Sequence, residues 1–151
     1  MRRYSFYIVW IGCLISYLES SGQDLPEPSD LKGVWCSELE STLEVRSLDL
    51  ETGEIRGSYS TPIGGRVRSF PLMGWVNTKS PEVGMDNVHV ISFTVRWGEL
   101  GSITSWAGTY QFNAKGEPIL KTVWHLARPI THTSYEHIIT QSSLFTFGAC
   151  K

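Results

Sequence analysis

The sequence predicts an all-β chain, folded as a single eight-stranded antiparallel up-and-down β-barrel. Three observations carry that reading. Between Gly33 and Phe147 apolar and polar residues alternate in short runs, the period of a half-buried strand. Turn residues such as Glu51-Thr52-Gly53-Glu54 and Asn113-Ala114-Lys115-Gly116-Glu117 separate those runs. No ten-residue stretch carries clean helical periodicity, which argues against α/β and α+β classes.

The strands are expected near 33–40, 42–49, 54–61, 68–76, 88–97, 102–112, 118–128 and 135–147. Gly53 and Gly116 supply the positive φ that their hairpin connections need. Lys79 to Asn87, with Pro81 and Gly84, is a longer loop. Eight sequential strands in so short a span fit a closed barrel, and closure demands that each strand separate inner from outer residues. Ile91, Phe93, Val95 and Trp97 share one face of the fifth strand, opposite Ser92, Thr94 and Arg96. Leu120, Thr122, Trp124 and Leu126 share a face of the seventh. In the sixth, Ser102, Thr104, Trp106, Gly108, Tyr110 and Phe112 begin polar and end aromatic, as a pocket mouth descending to a floor would.

With 151 residues, 41% apolar and 19% charged, the chain has enough core for one domain without staples. The apolar fraction excludes a disordered chain, and no 18-residue apolar run marks a polytopic membrane protein. A net charge of −2 spread along the chain leaves no basic patch for nucleic acid or anionic lipid. Residues 1–22 read as a signal peptide: Arg2 and Arg3, an apolar stretch from Tyr7 to Leu18, then Ser20, Ser21 and Gly22. The expected protein is therefore secreted and extracellular, with 23–30 a flexible lead-in and 31–151 the barrel domain. Cleavage leaves 11 basic and 14 acidic residues, a net −3. It also leaves Cys36 and Cys150, which could form one bridge, although sequence alone does not bring them together. Four scattered histidines (His89, His125, His132, His137) show no metal spacing and read as solvated.

Chemistry concentrates on the inner parity. Trp97, Trp106 and Trp124 fall on three successive inner faces, an inefficient way to fill a solid core. Ser37, Ser41, Tyr59, Thr61, Ser102, Thr104 and Ser143 share that inward parity. Each would cost about 1–3 kcal/mol if buried without a partner, so the pattern favours a polar ligand inside. No nucleophile–base arrangement and no inner carboxylate pair is present, so binding is expected, not catalysis.

The chain resembles the avidin/streptavidin family over essentially all of 31–147. The segments that carry this are Gly33-Val34-Trp35 with Leu39 and Ser41, Gly57-Ser58-Tyr59-Ser60-Thr61, and Pro71-Leu72-Met73-Gly74 with Asn77-Thr78. Phe93-Thr94-Val95-Arg96-Trp97, Gly116 to Leu126, and Phe145-Thr146 complete them in order. The resemblance implies biotin as bound ligand, with no cofactor. It implies that Ser41 and Tyr59 donate to the ureido oxygen and that Thr61 accepts from a ureido N–H. Thr104 would lie by the ring sulfur, Ser102 by the valeryl carboxylate, and Gly64 and Gly65 in the loop whose N–H groups meet that carboxylate. Trp97, Trp106 and Trp124 would form the aromatic box, with Leu39 and Leu126 beside it. Ser37 stands where an Asn is usual, Ser143 where an Asn or Asp is usual, and Tyr135 where each subunit lends a Trp to its neighbour. The family's bridge between strands 1 and 6 has no counterpart, since Tyr110 holds one of its positions. The implied protein binds biotin with reduced affinity, as a homo-oligomer (tetramer or dimer). Outer-face Val123, Ile138 and Leu144 would supply the interface. Two other readings stay open: an avidin-like barrel that serves only assembly, and a lipocalin-like carrier, whose usual terminal helix is not expected after 147.

Overall fold

The computed structural model describes residues 25–79, 88–130 and 136–150. The expected signal segment 1–22 and Tyr135 lie outside the described residues. Eight strands run in chain order: β1 (Gly33–Ser37), β2 (Thr42–Leu48), β3 (Glu54–Ile63), β4 (Arg66–Val76), β5 (His89–Arg96), β6 (Ile103–Phe112), β7 (Pro118–Ala127) and β8 (Ile138–Phe147). Each pairs antiparallel with the next, and β8 returns to β1, closing the barrel.

The predicted inner and outer faces are those observed. Along β5, His89, Ile91, Phe93 and Val95 are buried while Val90, Ser92, Thr94 and Arg96 are exposed. The hairpins follow from local side-chain bonding. At the β2–β3 turn the N–H groups of Glu51 and Thr52 donate to Asp49 Oδ1 at 2.8 and 3.3 Å, which holds that carboxyl below its ordinary range, and Gly53 takes φ +75. Asn113 Oδ1 accepts from Lys115 and Glu117 at the β6–β7 turn, where Gly116 has φ +77. Gly108 matters differently: an added Cβ there would lie 2.0 Å from the Lys121 carbonyl oxygen, so only glycine lets β6 and β7 approach there.

Four expectations change. The lead-in is ordered near its end, where Pro28–Leu31 forms a 3₁₀ turn. It buries Leu31 at the closed end, and the Leu31 carbonyl accepts the Trp35 indole N–H at 2.9 Å. Pro28 starts the turn because it needs no N–H partner there. Next, β3 and β4 stay paired to Ile63↔Arg66, so the loop expected over 62–67 is a two-residue turn at Gly64-Gly65. Third, β5 ends at Arg96, and Trp97 precedes a second 3₁₀ turn (Gly98–Leu100). Last, His89 is not solvated. It is 4% exposed, because inward parity at the closed end outweighs its polarity.

Cys36 and Cys150 meet in a disulfide with Cα atoms 5.0 Å apart across 114 residues. It fastens the closing seam, where β1 and β8 share only the pairs Trp35↔Phe147, Cys36↔Thr146 and Ser37↔Phe145. Glu38 adds a latch, its carboxylate accepting the Leu144 N–H at 2.8 Å.

At the closed end, Tyr110 packs edge-on against Trp35 and lies across from His89. The Tyr110 hydroxyl and His89 Nδ1 are buried without hydrogen-bond partners among the described residues. Burial pushes the Tyr110 phenol far above its usual value of 10.0, with Asp30 and Glu27 adding to the effect. The folded state therefore keeps the proton while the unfolded chain releases it above about pH 10, so stability is full below that pH and falls as pH rises. Tyr110→Phe removes an unpaired buried hydroxyl. It should raise unfolding stability at pH 7 by about 1 kcal/mol and weaken the alkaline loss. Urea denaturation at pH 7 and near pH 11 checks both effects.

Candidate ligand site at the open end of the barrel

In an up-and-down barrel the C-terminal ends of odd strands and the N-terminal ends of even strands meet at one rim. Ser37, Thr61, Trp97 and Leu126 arrive at the open end from odd strands, and Ser41, Ser102 and Thr104 from even ones. Trp106, Trp124 and Ser143 sit one layer deeper, where Trp106 pairs with Trp124 and Thr122 with Ser143. Below them Leu31, Trp35, Leu43, Phe93 and Phe145 close the floor.

One wall is a cluster of hydroxyls. The tight β1–β2 turn places Ser37 Oγ to accept the N–H groups of Leu39 and Ser41, at 3.3 and 3.1 Å. With both acceptor positions used, the Ser37 proton is free to donate. Ser41 Oγ donates to Thr61 Oγ1 at 2.8 Å. The Tyr59 phenol is pushed up by burial, while hydrogen bonds with Ser41 and Ser37 pull it the other way. Ser37, Ser41, Tyr59 and Thr61 thus form one connected group, although they come from β1, β3 and the turn between β1 and β2.

The opposite wall is aromatic. Trp106 stacks on Phe93 with ring centroids 4.9 Å apart and lies 4.9 Å from Tyr59 and 6.5 Å from Trp124. Trp97 meets Tyr59 and Phe70 edge-on at 5.8 and 5.0 Å. Two indoles find partners within the site: Trp97 Nε1 donates to Thr104 Oγ1 at 2.7 Å and Trp124 Nε1 to Ser143 Oγ at 3.0 Å. Trp106 Nε1 is buried and finds no acceptor among the described residues. A hydroxyl oxygen has two acceptor positions, so Thr104 and Ser143 can still serve a ligand.

The structure brings together Ser37, Ser41, Tyr59, Thr61, Trp97, Thr104, Trp106, Trp124 and Ser143. Leu126 and Ser102 are half-buried at the rim, Ser102 just before β6. Leu39 is 61% exposed on the β1–β2 turn. Gly64 and Gly65 form the hairpin tip beyond Ile63↔Arg66, with open space around them. Sequence reasoning missed Phe70, which extends the aromatic wall beside Trp97. Phe70 shares its parity with the inward Leu72, the signal that could have found it.

Fold and cluster define the class: an eight-stranded barrel, whose interior either is filled by side chains or holds one small ligand. The family model "Avidin family" matches residues 25–147, and the chain belongs to that family. It is 28% identical over 109 residues to avidin-related protein 4/5 of Gallus gallus, spanning 70% of this chain and 68% of that protein. It is 28% identical over 99 residues to Gallus gallus avidin, spanning 64% of this chain and 62% of avidin. The crystal structure of Xenavidin superposes with a TM-score of 0.63 at 30% identity, covering 78% of this chain and 96% of that one.

Proposed function

We propose that the protein is a secreted, non-enzymatic binder of biotin, held in the open end of the barrel with reduced affinity. The observation that carries this reading is the connected hydroxyl group of Ser37, Ser41, Tyr59 and Thr61 facing three indoles. A flat, polar ureido ring needs donors converging on its carbonyl oxygen, an acceptor for its N–H, and apolar walls on its faces. Ser37, Ser41 and Tyr59 supply the donors, and Thr61 accepts once Ser41 turns its proton to the ligand. Ser143 accepts the other N–H, with Thr104 beside the ring sulfur. Trp97, Trp106, Trp124, Leu39 and Leu126 enclose the apolar part, and Ser102, Gly64 and Gly65 face the tail.

Ser143 is the weak position, because its short side chain already receives the Trp124 indole. Ser143→Asn should add a longer acceptor and tighten binding by about 1–3 kcal/mol. Tryptophan fluorescence titrated with biotin tests both points. Wild type should show a saturable change, and the variant should saturate at lower biotin. No change at millimolar biotin would favour an assembly-only barrel.

The proposed unit is a homo-oligomer, tetramer or dimer, in which a neighbour's Tyr135 caps the site. Support comes from the outer face of β6–β8, where Val123, Ile138 and Leu144 are exposed. Ala107, Lys121, Val123 and Leu144 line a depression of about 590 Å³ there. Apolar surface gathered in this way marks an interaction face more often than scattered residues do.

A further inference from the structure

We infer that Arg68 makes the site selective for a ligand tail ending in a free carboxylate, so that the barrel prefers biotin to its neutral amides. The inference rests on the biotin reading above and deepens it. The inner row of β4 climbs from Val76 through Gly74, Leu72 and Phe70 to Arg68 and Arg66. Leu72 and Val76 are core residues and Phe70 packs on Trp97, so the row ends in two guanidinium groups at the rim. Register puts Arg68 directly opposite Thr61, one of the site hydroxyls, and Phe70 opposite Tyr59.

A tail leaving the site must pass this rim, because Leu31, Trp35 and Tyr110 fill the other end. Arg68, Phe70, Trp97 and Glu99 line a cavity of about 550 Å³ that continues the aromatic wall outward. Arg46 pairs with Glu44, Arg56 with Glu54, and Arg128 with the carbonyl and carboxylate of Glu136, while Arg96 lies on the outer face of β5, away from the site. Arg68 makes no ion pair or side-chain hydrogen bond among the described residues. Glu99 faces the same cavity without pairing to it, and Arg66 stands two residues further along, so positive charge prevails at this point of the rim. The two-residue turn at Gly64-Gly65 keeps β4 paired to its first residue, so Arg68 projects from a sheet, not from a loop. A planar guanidinium so placed suits a carboxylate, which it binds through two parallel N–H donors. An amide tail offers it no charge.

The test compares biotin with biotinamide on the purified protein, at low and high ionic strength, in wild type, Arg68→Gln and Arg68→Lys. Because the rim is open to solvent, wild type should bind the acid only about fivefold more tightly at low salt, and the preference should shrink at high salt. Arg68→Gln should weaken the acid alone and equalise the two ligands, while Arg68→Lys retains part of the difference. Equal binding of acid and amide by wild type would overturn the inference while leaving biotin binding intact. So would a preference that survives Arg68→Gln, or a variant that weakens both ligands alike. Binding of neither ligand would remove the biotin reading and this inference with it.

Discussion

Replacing Cys150 with serine is expected to lower the unfolding free energy by about 2–5 kcal/mol. The bridge spans 114 residues, so it restricts the unfolded chain over most of the barrel domain. It also acts where native pairing is thinnest. The β1–β8 seam has three register pairs, whereas β3–β4 and β6–β7 have ten each. Beyond the bridge and its pairs, the Glu38 carboxylate accepts the Leu144 N–H and the Gly148 N–H donates to the Val34 carbonyl. Cys36→Ser should match Cys150→Ser, and wild type treated with a dithiol should match both. Denaturation curves that coincide with and without the dithiol would show that the bridge does not hold the seam. Cys36 adjoins Ser37, so the reduced protein should also bind biotin more weakly.

Trp106→Ala should be at least as damaging, lowering stability by about 3–5 kcal/mol. The ring is 4% exposed and touches Phe93, Tyr59 and Trp124, so its removal opens a cavity between the core and the site. Biotin binding should be lost with it, because the aromatic wall is then missing its middle ring. Trp106→Phe separates the two consequences. It keeps a ring on Phe93 and deletes an indole N–H that has no partner, so it should cost less than about 1.5 kcal/mol. Thermal denaturation of the two variants, with and without biotin, checks the pair. A Phe variant as unstable as the Ala variant would mean that the indole nitrogen matters more than the stack.

Much of the architecture was legible from parity. The run from His89 to Arg96 alternates without interruption, and its buried face is the one that the sequence marks as apolar. Gly53 and Gly116 identify their hairpins because a positive φ leaves few alternatives to glycine. The site was legible for the same reason, since residues of one parity on neighbouring strands must converge in a closed barrel. What escaped depends on three-dimensional distance. Cys36 and Cys150 are at opposite ends of the domain in sequence, and only closure of the sheet brings them together. Pro28 to Asp30 read as part of a polar lead-in, until the 3₁₀ turn they form is seen to hold Leu31, whose carbonyl accepts the Trp35 indole N–H. His89 reads as a surface residue by composition and is buried by position. Ending β3 at 61 and starting β4 at 68 left Arg66 out of the rim row, because the paired Ile63↔Arg66 end has no apolar alternation to reveal it.

Isothermal titration of the purified protein with biotin is the most direct measurement of the central claim. Convergent hydroxyls and ring walls that are already in place predict saturable binding at one biotin per chain. The reaction should be enthalpically favourable, with a dissociation constant weaker than the extreme reached by biotin–streptavidin. Absence of heat at millimolar biotin, together with an unchanged melting temperature, would contradict the account.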